Sequence, residues 1–325
     1  MNLPVTYRPT NFDEVIGQDL ICKILQRQIE NDDLSTGYLF SGPSGIGKTT
    51  IARIIADKIN AETIEIDGAS NNSIDDIRNL RKDTNFKSLT GDYKVYIIDE
   101  AHSLSNSAFN ALLKTLEEPP NSVIFILATT EPEKIIPTIR TRTQHFKFQR
   151  VDWETIKDRL ETICEKENNI VKDQILNYIS KMSNGSVRSA VSLLEKTLEL
   201  DNPSWEDILD VTNTINYKHI FKLIFYINKG KEDKIIELIE ELNKSGKNLR
   251  VFIKETMKVI LDIKKYSLFN SFEYITIPTF YEEPVQKLST FEGLNELFIK
   301  FNELYNELKY EEDIKPVVEG RILNF

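Results

Sequence analysis

The sequence predicts an α/β core, a parallel sheet with helices on both faces, followed by a small helical domain and a larger one. The expected bounds are residues 1–150, 151–203 and 204–325. Three observations predict this. Short apolar runs alternate with amphipathic stretches through the first 150 residues, the pattern of a parallel sheet covered on both sides. Glycine and proline together number 14 in residues 1–150 but 9 in the longer remainder, so turns concentrate in the first part and helices dominate the rest. A glycine-rich run, GPSGIGKT (42–49), stands between a strand pattern and a helix pattern, where such sheets bind phosphate.

The expected strands are GYLFS (37–41), TIEID (63–67), KVYIID (94–99) and SVIFILAT (122–129). Between them, TTIARIIADKI (49–59) puts Ile51, Ile54, Ile55 and Ile59 on one helix face. SIDDIRNLRKDT (73–84) is a second helix, capped by Ser73 with Asp76 three residues on. SNSAFNALLKTLEE (105–118) is a third, stopped by Pro119 and Pro120. From 151 the texture is helical: WETIKDRLETICEKE, DQILNYISKMS and VRSAVSLLEKTLEL, then a linker at 201–204. HIFKLIFYINKG, EDKIIELIEELNKSG and NLRVFIKETMKVILDIKKY are further amphipathic helices. An irregular stretch (270–285) and helices near 286–310 and 314–323 complete the chain, with no internal repeat.

The 325 residues carry 41 basic against 51 acidic side chains, a net charge of −10. Residues 1–150 carry 17 basic and 20 acidic groups, so most of the acid excess lies beyond them. This excludes a protein that coats nucleic acid by bulk positive charge. Two cysteines, Cys22 and Cys164, exclude a disulfide scaffold and a four-thiolate zinc site. The N-terminal MNLPVTYRPTNFDEV has no apolar core and carries early acids, so no signal peptide is expected. No run approaches the length of a membrane span, and a cytoplasmic protein is expected.

GPSGIGKT satisfies G-x-x-x-x-G-K-[ST] and has the strand-before, helix-after context that the motif requires. Gly42, Gly45 and Gly47, with Pro43, Ser44 and Ile46 between them, let successive N–H groups face phosphate oxygens at a helix N-terminus. Lys48 would reach the β- and γ-phosphates of ATP, Thr49 would ligate Mg²⁺, and Thr50 would donate to a phosphate further back. The strand KVYIIDEAH (94–102) ends in two carboxylates. Asp99 is the candidate for the metal shell, and Glu100 for polarising the attacking water. The letters DEAH do not make a helicase of that name, because no second α/β domain follows residue 150.

SAFNALLKTLEEPP (107–120), preceded by IDEAHSLS and followed by FILATTEPEKIIPTIRTRTQHFKF, resembles the bacterial clamp-loader ATPases, as does YRPTNFDEVIGQ (7–18). The chain is similar to the gamma/tau subunits of the bacterial DNA polymerase III clamp loader, which are AAA+ ATPases, over roughly residues 7–200. The resemblance implies an AAA+ core, a helical lid domain and a helical C-terminal collar that packs against sister subunits. It implies that Thr130 is sensor 1 and that Arg188, in GSVRSAVSLLE (185–195), is the sensor 2 arginine. It places the arginine finger at Arg142 in TIRTRTQHF, with Arg140 as competitor. Tyr7, Arg8 and Pro9, with Val15 and Ile16, match the segment that wraps the adenine.

The bacterial subunits carry a four-cysteine zinc module where this chain has only Asn60 to Glu62. No zinc is expected, and a phage-encoded or streamlined relative, or one nearer the eukaryotic small subunits, fits that departure. The long tail of tau-type subunits is also expected to be missing. The implied partners are a sliding clamp, sister subunits in a pentameric ring or spiral, and primer–template DNA held through its phosphates, with no membrane. Ser70, Asn71 and Asn72, before one helix, and Ser105, Asn106 and Ser107, at the start of the next, are the candidate DNA contacts. Lys82, Lys87 and Lys114 could add charge. Another AAA+ DNA motor, for branch migration or helicase loading, is the first alternative. A non-catalytic stator subunit is the second, although its usual mark is a decayed P-loop and this one is whole.

Overall fold

The computed structural model describes all residues except 1, 85, 87, 89, 90, 119, 121, 201, 202 and 213–215. Lys87, Pro119 and the first half of the expected linker therefore lie outside the described residues. The chain divides into two compact units: Met1–Ile170 with Ser183–Glu195, and Val171–Met182 with Lys196–Phe325.

In the first unit the order is α1 (Leu3–Thr6), α2 (Asp19–Glu30), β1 (Gly37–Ser41), α3 (Lys48–Lys58), β2 (Ala61–Asp67) and α4 (Ile74–Asp83). Then come β3 (Tyr93–Asp99), α5 (Asn106–Glu117), β4 (Val123–Thr129), α6 (Pro137–Arg140), β5 (Gln144–Lys147) and α7 (Trp153–Lys166). The five strands form one parallel sheet in the order β2-β3-β4-β1-β5. Parallel strands buried on both faces read as continuous apolar runs, and all of β1 and β4 is buried. The pleat sends alternate side chains to opposite layers. Tyr38, Phe40, Val95 and Ile97 pack with Leu25 of α2 and Ile51, Ile54 and Ile55 of α3. Leu39, Tyr96, Ile98 and Phe125 pack with Ile77 and Leu80 of α4 and Phe109 and Leu112 of α5. Each such fully buried side chain contributes roughly 1.5–3 kcal/mol.

The four expected strands and three expected core helices form within one or two residues of their predicted bounds. Four elements of this unit are not predicted by the sequence, the one-turn helices α1 and α6 together with β5 and α2. Strand β5 is an edge strand in which only Phe146 is buried, so it carries no apolar run to find. Helix α2 buries only Cys22 and Leu25, a short stripe in a mainly polar segment. The sheet pairs Ser41 with Thr129 and Ile98 with Leu127, which brings Asp99 to within one residue of that level. The carboxyl ends of β1, β3 and β4 are thus level, and ligands of open α/β sheets bind at that edge.

The second unit contains α8 (Asp173–Met182), the last residues of α9 (Val187–Leu198), α10 (Trp205–Val211), α11 (Tyr217–Asn228), α12 (Glu232–Lys244) and α13 (Leu249–Phe269). It ends with α14 (Glu282–Ser289), α15 (Leu294–Glu307) and α16 (Ile314–Ile322). Helix α13 packs against α11, α14, α15 and α16. Phe221, Phe252 and Phe301 are buried in this unit, whereas Phe225 is exposed. The stretch expected as one helix over 286–310 is two, and α14 begins inside the stretch expected to be irregular. Ser289 and Thr290 donate their hydroxyls to the carbonyls of Gln286 and Lys287, which satisfies the last turn of α14 and ends it. Among the described residues no helix is long and apolar enough to cross a membrane.

Candidate active site

The glycine loop leaves β1 and enters α3 under tight constraints. A Cβ on Gly42 (φ +141°) would lie 2.6 Å from the carbonyl oxygen of Phe148. One on Gly45 (φ +75°) would lie 2.3 Å from Oγ of Ser186, at the approach to α9. The Arg188 N–H donates to the Gly45 carbonyl at 3.2 Å. Helix α3 opens at Lys48 with no acid in its first turn, so its free N–H groups and dipole favour an anion there.

One cavity is lined by Tyr7, Arg8, Val15 and Ile16, by residues 44–50, by Asp99 and Glu100, and by Arg188. The cavity therefore gathers the residues expected to hold base, phosphate and metal from four separate stretches of sequence. Gly42 and Pro43 do not line it; their carbonyls accept hydrogen bonds from Nζ of Lys48, each at 2.7 Å. Burial pushes the Lys48 ammonium below the ordinary lysine pKa, against the opposing pull of Glu100 and Asp99. Burial likewise lowers Arg8, helped by the nearby charges of Arg53 and Arg188. The lining sets Arg8, Lys48 and Arg188 against Asp99 and Glu100, a net positive balance suited to a polyanion.

Thr49 Oγ1 donates to Asp99 Oδ2 at 2.9 Å. Glu100 has its backbone in the left-handed region (φ 45°, ψ 43°), a conformation that costs a non-glycine residue roughly 1–2 kcal/mol. Thr130 Oγ1 donates to Glu100 Oε2 at 3.3 Å, so Thr130 meets the site through the glutamate, not through the cavity wall. Arg142 is not in the cavity wall. Its Nη2 is 2.6 Å from Glu117 Oε1, and its Nη1 donates to the Thr138 carbonyl at 3.0 Å.

The two loops expected to face DNA are joined, since Ser105 N donates to the Asn72 carbonyl at 3.2 Å. Ser70 Oγ donates to Asp67 Oδ2 at 2.7 Å, and Asn71 Nδ2 to the Asp67 carbonyl at 3.1 Å. Ser105 caps α5 by accepting from Ala108 N, while Asn106 and Lys114 are exposed.

Sequence reasoning missed Pro4, Val187 and Val191 in the cavity wall. The valines flank Arg188 at i and i+4 on one face of α9, a spacing that could have revealed them. It also missed His102, whose Nδ1 is 3.3 Å from Glu100 Oε2, and Glu131, whose Oε1 is 3.3 Å from His102 Nε2. Among the described residues no group of three or more His, Cys, Asp and Glu is placed to hold a metal ion.

A family model described as DNA polymerase III, delta subunit, matches residues 60–152. The DNA polymerase III subunit gamma of Buchnera aphidicola is 35% identical over 280 residues, 78% of this chain and 77% of that protein. The chain belongs to the DNA polymerase III gamma/tau family. The subunit tau of Bacillus subtilis is 36% identical over 94% of this chain, so gamma/tau similarity runs well beyond residue 200 into the second unit. The chain spans 59% of that relative's length and 48% of the Mycoplasma genitalium gamma/tau subunit. Among solved structures, the Thermotoga maritima RuvB Holliday junction branch migration motor superposes with a TM-score of 0.53 at 22% identity, over 68% of this chain and 79% of that one. That likeness is one of fold, an AAA+ architecture.

Proposed function

We propose that this gamma/tau-family chain is an ATP-hydrolysing motor subunit of a sliding-clamp loader. The observation that carries the reading is the single cavity on which an intact P-loop, Asp99, Glu100 and Arg188 converge. The P-loop N–H groups and Lys48 would hold the phosphates, Tyr7, Arg8, Val15 and Ile16 would contact the adenine side, and Arg188 would report the nucleotide to the lid, residues 151–203. Thr49 and Asp99 fit Mg²⁺, since a hydroxyl and a carboxylate in contact are hard oxygen donors of the kind this ion takes alongside water. Bound there, the ion would neutralise phosphate charge.

Glu100 would accept the proton of the attacking water, and Thr130 would orient that glutamate or the γ-phosphate. Arg142 would complete the site of a neighbouring subunit by spreading transition-state charge. Its bond to Glu117 within its own chain would then be exchanged for phosphate on assembly. ATP binding would close a ring or spiral of sister subunits, with residues 204–325 as the collar, on the clamp and primer–template DNA in the cytoplasm. Hydrolysis would release them. The test is ATP turnover by the full chain with and without primed DNA and the cognate clamp. Stimulation by the pair is expected, and turnover indifferent to both would refute the clamp-loader reading.

A further inference from the structure

Glu100 is a half-exposed carboxylate on a strained backbone, and a water-activating base must be held in one orientation. Misplacement by about 1 Å can cost on the order of 100-fold in rate. Thr130 supplies one tether, at 3.3 Å. We propose that His102 supplies the second and is a positioning residue for Glu100, tying the carboxylate to the end of β4 and to Glu131. This inference rests on the ATPase reading above.

His102 lies in the short turn Ala101–Ser103 that follows β3, and its side chain is 15% exposed, against 38% for Glu100 and 39% for Glu131. Its Nδ1 is 3.3 Å from Glu100 Oε2 and 3.1 Å from Thr129 Oγ1. Its Nε2 is 3.3 Å from Glu131 Oε1. Thr129 Oγ1 is the hydrogen-bond partner of Nδ1, and each nitrogen also has a carboxylate oxygen at 3.3 Å, a distance at which the ring attracts both glutamates when it carries a proton on each nitrogen. Thr129 is fully buried at the last position of β4, and its Oγ1 also accepts from Glu131 N at 3.0 Å. Glu131 is held from its far side by Lys134 at 2.9 Å. A mostly buried planar ring, hydrogen-bonded to the end of β4 and set between two carboxylates, makes a strut between them, and His102 is not part of the cavity wall. It acts on the reaction through Glu100, not by touching nucleotide.

The strut also has a reach beyond its own site. Glu131 immediately precedes the Pro132–Lys134 turn, and α6 and Arg142 follow. The same histidine therefore links the glutamate that works in this subunit to the segment whose arginine would work in the next.

Two measurements on the full chain test the assignment. The chain has three histidines, so imidazole ¹⁵N NMR signals can be assigned by single substitution, with His219 of the second unit as the control. Glu100→Gln and Glu131→Gln should each move the His102 signals and leave those of His219 in place. A His102 signal indifferent to Glu100→Gln overturns the contact. In single-turnover hydrolysis with Mg²⁺, primed DNA and clamp, His102→Ala should slow the chemical step on the order of 10- to 100-fold, with ATP Kd changed by less than about twofold. His102→Asn, which keeps a polar nitrogen near the Nδ1 position, should recover part of the loss. Hydrolysis by His102→Ala at the wild-type rate overturns the role. So does a loss mirrored in ATP affinity and unfolding temperature that His102→Asn does not relieve. A wild-type chain that binds ATP but never hydrolyses it refutes the ATPase reading and the role together, while the NMR result still reports whether the strut exists.

Discussion

Gly45 joins the P-loop to the start of α9 more closely than any side chain allows. In Gly45→Ala the new Cβ falls 2.3 Å from Ser186 Oγ and 3.2 Å from Arg188 Cβ, on a backbone at φ +75°. The left-handed conformation costs alanine about 1–2 kcal/mol, and relieving the clash costs about a further 1–2 kcal/mol. Removing Ser186 Oγ leaves the Ser186 Cβ at 3.5 Å, an ordinary contact. Ser186→Ala alone also loses the hydroxyl that accepts from Ser189 N at 3.3 Å, a cap-type bond of about 1 kcal/mol.

Gly45→Ala should therefore destabilise by about 2–4 kcal/mol in the native background and by about 1–2 kcal/mol beside Ser186→Ala. The four proteins of the cycle, unfolded in urea, should show a coupling of about 1–2 kcal/mol. Because Arg188 N donates to the Gly45 carbonyl, the displaced loop should also weaken ATP about tenfold, equal to about 1.4 kcal/mol. Ser186→Ala should restore part of that affinity. Effects that add to within about 0.5 kcal/mol would show that the loop and α9 do not touch as described.

If Arg142 serves the neighbouring site, Arg142→Ala subunits mixed with wild type should lower ATP turnover per assembly in proportion to their share; undiminished turnover removes Arg142 from that role. Asn106→Asp should stabilise α5 by about 0.3–1 kcal/mol through its dipole while weakening primed-DNA binding in fluorescence anisotropy; unchanged binding would exclude this helix end as a phosphate contact. Burial pushes the thiols of Cys22 and Cys164 up to about 11. The unfolded chain, whose thiols ionise near 8.5, sheds those protons first. The stability that this linkage provides is complete below about pH 8.5 and falls by up to about 1.4 kcal/mol per pH unit per thiol as pH rises toward 11. Urea unfolding between pH 8 and 10.5 should show a shallower decline in Cys22→Ala/Cys164→Ala, and an identical decline would refute it.

The core strands were legible because a sheet buried on both faces must write its strands as apolar runs, and GYLFS and VIFILAT do so. QHFK could not be found that way, since an edge strand with one buried residue satisfies no pattern. In the site, spacing alone identified the loop, Asp99 and Glu100, because phosphate chemistry demands those residue types at those positions. Arg188 needed the family resemblance, and Val187 and Val191 needed the fold. His102 and Glu131 stayed hidden for a different reason. They are 29 positions apart along the chain, and no spacing rule predicts that the ends of two neighbouring parallel strands will bring them together.

The charge distribution separates the two helix ends proposed for DNA. The start of α4 carries Asp75 and Asp76 in its first turn, with Ser73 and Asp76 already exchanging hydrogen bonds as a capping box. Asp67, just before it, accepts from Ser70 and Ala69, bonds that hold its carboxyl below the usual range and keep it charged. A phosphate approaching Ser70, Asn71 and Asn72 would meet anions and spent donors. Helix α5 has no acid in its first turn, and its exposed Asn106 and Lys114 stand on a helix whose dipole is unopposed. On the clamp-loader reading proposed above, an acidic chain would hold DNA at the α5 end while the α4 end, tied to it through Asn72 and Ser105, would repel the same backbone. Such a combination would locate a strand more sharply than a basic patch. One or two phosphates per subunit would correspond to a slope of about −1 to −2 per subunit in log affinity against log salt, summed over the subunits of the assembly.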